Sequence, residues 1–210
     1  SRDPYQVYGG LQDNGSWVAD SSYPGGVSNN RWENLYGGDG FWVIPDASDP
    51  NIVYAESQGG NIARIDRSSK MARDIQPKAG KGEKLRYNWN TPIHQSPNHP
   101  GTIYLGSQFL FRSADQGQTW QRISGDLTTN DSTRKQQEQS GGITVDNSSA
   151  EMHTTIYSIS ESQRNDQVIW VGTDDGNLQV TRDGGKTWTN VAASVPVPKG
   201  TWVSRVDASP

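Results

Sequence analysis

The chain has 210 residues, of which 31% are hydrophobic, 23 are glycine and 11 are proline, with a formal net charge of −4 and no cysteine. That length buries a sizeable core. The acidic balance argues against a nucleic-acid platform, the missing cysteines exclude disulfides and thiolate metal sites, and no apolar run approaches the roughly 20 residues needed to span a bilayer. Eight tryptophans and eight tyrosines argue against disorder, because disordered chains are poor in aromatics.

In chain order, residues 7–11 and 16–19 are predicted as the second and third strands of a unit, with 31–35 as its outer strand. The next three units share one grammar. Residues 41–44, 92–94 and 155–159 enter, and a polar turn containing Pro or Asn leads into an aromatic-bearing β-branched strand at 46–57, 95–107 and 160–173. A Gly- or Asn-containing turn then leads to 62–65, 110–112 and 178–181, followed by outer strands at 72–75, 120–123 and 188–191. Four strands repeating every 40–50 residues or so is the blade of a β-propeller.

The expected organisation is a partial blade 1–36, blades 41–76, 91–126 and 154–192, a long polar insertion 127–153, and the entering strand of a further blade at 202–207. Residues 76–90 form a second insertion, with four Lys or Arg. The chain thus starts and stops within blades. An open arc of a larger propeller is expected, in preference to a ring sewn from both ends. Loops beyond about 15 residues are usually functional or disordered, and 127–153 is predicted to be solvated.

Two octapeptides are nearly the same: Ser113-Ala-Asp115-Gln-Gly117-Gln-Thr-Trp120 and Thr181-Arg-Asp183-Gly-Gly185-Lys-Thr-Trp188. The aspartate suits the amides of a turn, the glycine supplies positive φ, and the tryptophan packs beneath. Asp66-Arg-Ser-Ser-Lys70 occupies the same place in the preceding blade without the Gly and Trp.

This pattern resembles the Asp-box, or BNR repeat, of sialidases, sortilin-type receptors and xyloglucanase-type glycosidases. The strings Tyr8-Gly-Gly-Leu-Gln-Asp-Asn-Gly-Ser-Trp17, Gly37-Gly-Asp-Gly-Phe-Trp42 and Trp170-Val-Gly-Thr-Asp-Asp-Gly-Asn177 extend the likeness to large bacterial BNR proteins. The resemblance implies a secreted or periplasmic setting. It also implies a longer parent chain whose remaining blades, or other protein chains, are partners. It implies no cofactor.

A fold does not carry its chemistry with it. The Arg-Ile-Pro signature of sialidases is absent, Ala63-Arg64-Ile65-Asp66 being the nearest approach. Where xyloglucanase-type propellers carry a catalytic Asp, this chain has Glu56-Ser57-Gln58 before Gly59-Gly60. Candidate catalytic residues are Asp39, Asp13 and Glu56, since ordinary glycosidases need two carboxylates about 5–10 Å apart. Asp13 and Asp175 are also good turn formers, in Asp13-Asn-Gly15 and Asp175-Gly176. Trp42, Asp174 and Asp175 are candidate binding residues. Trp17, Trp32, Trp42, Trp89 and Trp202 stand beside turns and suit either sugar stacking or packing between blades. His94, His99 and His153 lack metal-ligand spacing, and no metal site is expected. The expected function is a non-catalytic scaffold that binds protein or glycan; the alternative is a glycoside hydrolase completed by further blades.

Overall fold

The structure, a computed structural model, describes residues 3–136 and 152–209. Its strands form four successive antiparallel meanders. The first sheet joins β1 (Gln6–Leu11), β2 (Gly15–Asp20) and β3 (Glu33–Tyr36). The second joins β4 (Gly40–Pro45), β5 (Ile52–Ser57), β6 (Asn61–Asp66) and β7 (Met71–Asp74), and the third β8 (Ile93–Gln95), β9 (Ile103–Gly106), β10 (Leu110–Ser113) and β11 (Gln121–Arg122). The fourth joins β12 (Ile156–Ser162), β13 (Asn165–Thr173), β14 (Leu178–Thr181) and β15 (Thr189–Asn190). A four-stranded meander that leads directly into the next has the form of a propeller blade.

The second strand of each four-stranded sheet lies between neighbours on both sides. Every residue of β5 and β9 is buried, and both open on apolar runs without alternation, Ile52-Val-Tyr-Ala55 and Ile103-Tyr-Leu105, before β5 ends on the buried Glu56 and Ser57. Side chains from adjacent sheets meet in two clusters. Ile52, Tyr54, Ile62, Ile75, Ile93, Ile103 and Leu105 join the second sheet to the third. Tyr104, Leu110, Leu127, Ile156, Ile159, Ile169 and Val171 join the third to the fourth. Each fully buried aliphatic contributes about 1.5–3 kcal/mol. The first and second sheets meet differently, through Ala55, Ala63 and Ile65 with Leu35 and Tyr36. A Cβ on Gly10 would lie 2.4 Å from the Gly40 carbonyl carbon, and one on Gly40 would lie 2.2 Å from the Gly15 carbonyl oxygen. That joint is backbone against backbone.

The two octapeptides are turn locks that also fasten one sheet to the sheet before. Thr119 donates its amide and hydroxyl to the Asp115 carboxylate at 2.8 and 2.6 Å, and Thr187 does the same to Asp183 at 2.9 and 2.6 Å. Gly117 and Gly185 have φ of 83° and 97°. A Cβ on Gly117 would meet Ile75 Cδ1 at 2.4 Å, and one on Gly185 would meet the Ile123 carbonyl oxygen at 2.7 Å. Trp120 donates its indole N–H to the carbonyl of the same Ile75 at 2.6 Å, and Trp188 to that of Ile123 at 3.1 Å. Each lock therefore grips one isoleucine just past the last strand of the preceding sheet.

The lock's aspartate does not hold the buried amide. Thr119 and Thr187, its donors, are exposed. The buried N–H of Gly117 instead donates to the Ser113 hydroxyl at 2.8 Å, and Ser113 is 1% exposed. Ser113→Ala strands that amide and is expected to destabilise by about 1–3 kcal/mol. Asp115→Asn, which leaves water at the exposed turn, is expected to cost less. Urea denaturation of the two variants checks the order, and a larger loss for Asp115→Asn would contradict it.

In the second sheet the corresponding turn uses Asp66 as the acceptor for the amide and hydroxyl of Ser68 at 2.9 and 2.6 Å. Without a tryptophan, this turn reaches back through Arg67, which pairs with Glu33 of the first sheet at 2.8 Å and donates to Gln6 at 2.9 Å.

Two expected segments differ in the structure. Residues 202–207, expected as an entering strand, form no strand, and they do not make the pairing with β1 that a sewn ring would have required. Val203 instead donates its amide to Thr173 at 3.0 Å and accepts from the Ser158 hydroxyl at 3.1 Å, so the segment lies along the fourth sheet without a ladder partner. Of the insertion 127–153, residues 137–151 lie outside the described part. Its beginning is packed: Leu127 is buried, and its carbonyl accepts from the side chains of Asn177 and Gln179 at 2.9 and 3.0 Å.

Candidate functional site

Asp13 and Asp39 meet where the turns of the first two sheets converge. The Asp13 amide donates to the Asp39 carboxylate at 2.8 Å, and the Asp39 amide donates to Gln58 Oε1 at 2.7 Å. Asp13 has φ of 64° in the β1–β2 turn and is exposed. Glu56 is elsewhere, wholly buried on β5, where its Oε1 accepts the amides of Thr91 and Gly60 at 3.1 and 3.3 Å. Burial pushes its carboxyl up to about 9 against those hydrogen bonds, so it is a neutral acid at pH 7. Its other oxygen has no partner among the described residues. Glu56 holds the chain that enters the third sheet and is not presented to a ligand.

Trp42 packs against the core between the second and third sheets. Asp174 and Asp175 are buried and hold connections together. Asp175 accepts the amide and hydroxyl of Thr129 at 2.8 and 2.7 Å. Asp174 accepts the amide and hydroxyl of Thr155 at 2.9 and 2.6 Å and an amide proton of Asn88 at 3.1 Å. Burial raises the Asp174 pKa, with the Thr155 hydrogen bonds opposing. The Ser113, Asp115, Gly117 and Trp120 lock and its Thr181, Asp183, Gly185 and Trp188 copy are joints between sheets.

Asp174 and Asn88 form the floor of a cup of about 250 Å³. Four aromatic side chains surround it: Phe41 from β4, Trp89 from the 76–90 connection, Tyr157 from β12 and Trp202. The Tyr157 and Trp202 rings stand at 80° to one another with centroids 4.8 Å apart, making a corner. Trp202 is 48% exposed and forms the rim. The Gly59 amide donates to the Trp89 carbonyl at 3.0 Å, which fixes the connection over the β5–β6 turn.

His153 lines the cup with Nδ1 3.9 Å from Asp174 Oδ1. Among the described residues no group of three His, Asp or Glu converges as a metal-ligand set. Sequence reading singled out Trp89, Trp202 and Asp174 separately but missed Phe41, Asn88 and Tyr157. The Asn88-Trp89-Asn90 run offered a signal, since a large aromatic between amides on a connection is not there to fill a strand face.

No family model matches the sequence. No curated protein matches it either. Solved structures do match. An ancestral GH74 enzyme is 16% identical, with a TM-score of 0.45 over 74% of this chain. The GH74 xyloglucanase from Xanthomonas campestris is 12% identical (TM-score 0.41, 93% of this chain), and the GH74 enzyme from Niastella koreensis 13% identical (TM-score 0.40, 96%). The chain spans 18% of the first of these proteins and 42% of each of the other two. No helix among the described residues is long and apolar enough to cross a membrane.

Proposed function

We propose that this chain is a segment of an Asp-box β-propeller in an exported protein, that it binds carbohydrate in the aromatic cup, and that it does not itself hydrolyse it. The cup carries the reading. Aromatic faces around a small hollow suit the apolar C–H faces of sugar rings. Hydrolysis by an ordinary glycosidase needs two available carboxylates, and the cup's lining holds one, Asp174, already engaged by Thr155 and Asn88.

The alternative, a glycoside hydrolase completed by further blades, is favoured by one observation, the Asp13 backbone amide bonded to the Asp39 carboxylate, which sets these two residues side by side at the sheet tips. Titrating the chain with oligosaccharides while following tryptophan fluorescence tests binding. Saturable quenching is expected, and Trp89→Ala should abolish it. Release of reducing ends in the same mixtures, lost on Asp39→Asn, would establish the hydrolase reading instead.

A further inference from the structure

The cup is narrow, cornered and without Lys or Arg in its lining, and these properties select among carbohydrates. Its volume of about 250 Å³ lies below the roughly 300–1,000 Å³ of pockets that enclose drug-sized molecules, which suits a single ring better than an enclosed oligosaccharide. The Tyr157 and Trp202 rings are nearly perpendicular. A polysaccharide lying flat along a surface needs rings that continue in one plane; a corner accepts a single unit from above.

The polar groups left free are of a mixed kind. No hydrogen bond among the described residues uses the indole N–H of Trp89 or Trp202, so both remain donors. The Asn90 side chain donates to the Tyr157 hydroxyl at 3.4 Å, which leaves the phenolic O–H to donate outward. Asn90 Oδ1 is a buried acceptor with no partner among the described residues. Sugar hydroxyls both donate and accept, and they match such a set. Among the cup's lining residues there is no Lys or Arg, while Asp174 contributes a carboxyl at the floor. An anionic sugar would meet no permanently charged cation, only the His153 imidazole already set 3.9 Å from the Asp174 carboxyl at the floor.

We infer that the cup takes the terminal ring of an uncharged glycan, inserted end-on. This rests on the carbohydrate-binding reading above and narrows it to a position in the chain and a charge. Trp89 and Trp202 are the stacking residues, and Asn90 Oδ1 receives a hydroxyl proton of the ring.

The test is calorimetric titration of the full chain with neutral gluco-, galacto- and manno-oligosaccharides of two to six units, with the same series ending in a uronic acid, and with choline. At least one neutral series should bind with an affinity that changes less than about twofold between three and six units. Its uronate-ended counterpart should bind at least about tenfold more weakly. Trp202→Ala and Asn90→Ala should each weaken binding about tenfold or more, while Trp32→Ala, at an exposed tryptophan outside the cup, should not. Affinity that climbs with every added unit, or uronate-ended glycans that bind equally, would overturn end-on neutral recognition while leaving carbohydrate binding intact. Silence toward every glycan would overturn both, and saturation by choline alone would reassign the cup to a cation held by aromatic faces.

Discussion

Trp120→Ala is expected to lower the free energy of unfolding by about 3 kcal/mol, the lower end of the range for removing a large aromatic from a core. Trp120 is half-buried, so it forfeits less than a fully enclosed ring. It packs on the cluster that joins the second and third sheets, and its indole holds the Ile75 carbonyl at 2.6 Å. Both are lost together, and the sheets lose their fastening where the side-chain contact between them ends. Trp120→Phe keeps most of the packing and removes the hydrogen bond, so a loss nearer 1 kcal/mol is expected. Trp188→Ala should behave likewise at the next joint, where the indole reaches Ile123. Urea denaturation measures all three. Alanine variants that unfold with the parent's midpoint and slope would show that the indoles hold nothing.

Glu56→Gln is expected to stabilise the protein at neutral and mildly alkaline pH and to flatten its pH dependence. The parent's carboxyl is raised by burial from 4.5 to about 9. Below pH 4.5 both folded and unfolded chains are protonated there, and the full stability is present. From pH 4.5 upward the unfolded chain ionises while the folded chain keeps its proton. Stability therefore falls by about 1.4 kcal/mol per pH unit until the folded carboxyl also ionises near pH 9. Near pH 7 the accumulated loss is about 3 kcal/mol. Glutamine keeps an oxygen for the Thr91 and Gly60 amides and cannot ionise. The two proteins should be close at pH 4, with the variant's advantage widening as pH rises. An identical slope in parent and variant between pH 5 and 9 would remove Glu56 as its source.

The strand grammar was legible because its causes are local. The polar turn at 46–51 and the run Ile52-Val-Tyr-Ala55 are a turn and a doubly covered strand on composition alone, and they form one. The locks were legible because positive φ at Gly117 and Gly185 and a short polar acceptor four residues before a threonine are sequence-local requirements. The roles inside the lock were less so, since only the packing shows that Ser113, and not Asp115, satisfies the buried amide. The cup was not legible. Phe41, Trp89, His153, Tyr157, Asp174 and Trp202 come from separate segments, and no spacing marks them. Asp174 sits in a turn whose Gly176 does take positive φ, but its carboxylate is turned into the connection, where it accepts the Thr155 amide. Glu56 looked available for chemistry. Its burial depends on where the 76–90 connection re-enters at Thr91, which lies 35 positions away.

The locks also bear on how such a chain can grow. Each octapeptide carries within its own hairpin the indole and the bare glycine that dock on the unit before it, and the unit before it needs only an isoleucine at its final strand's end. A gene segment that encodes one such unit can be copied in tandem, and the copy arrives already able to seat itself on its template. Divergence can then proceed one unit at a time, because a copy that loses its tryptophan needs a replacement at a single joint. Arg67, reaching back to Glu33, is what such a replacement looks like.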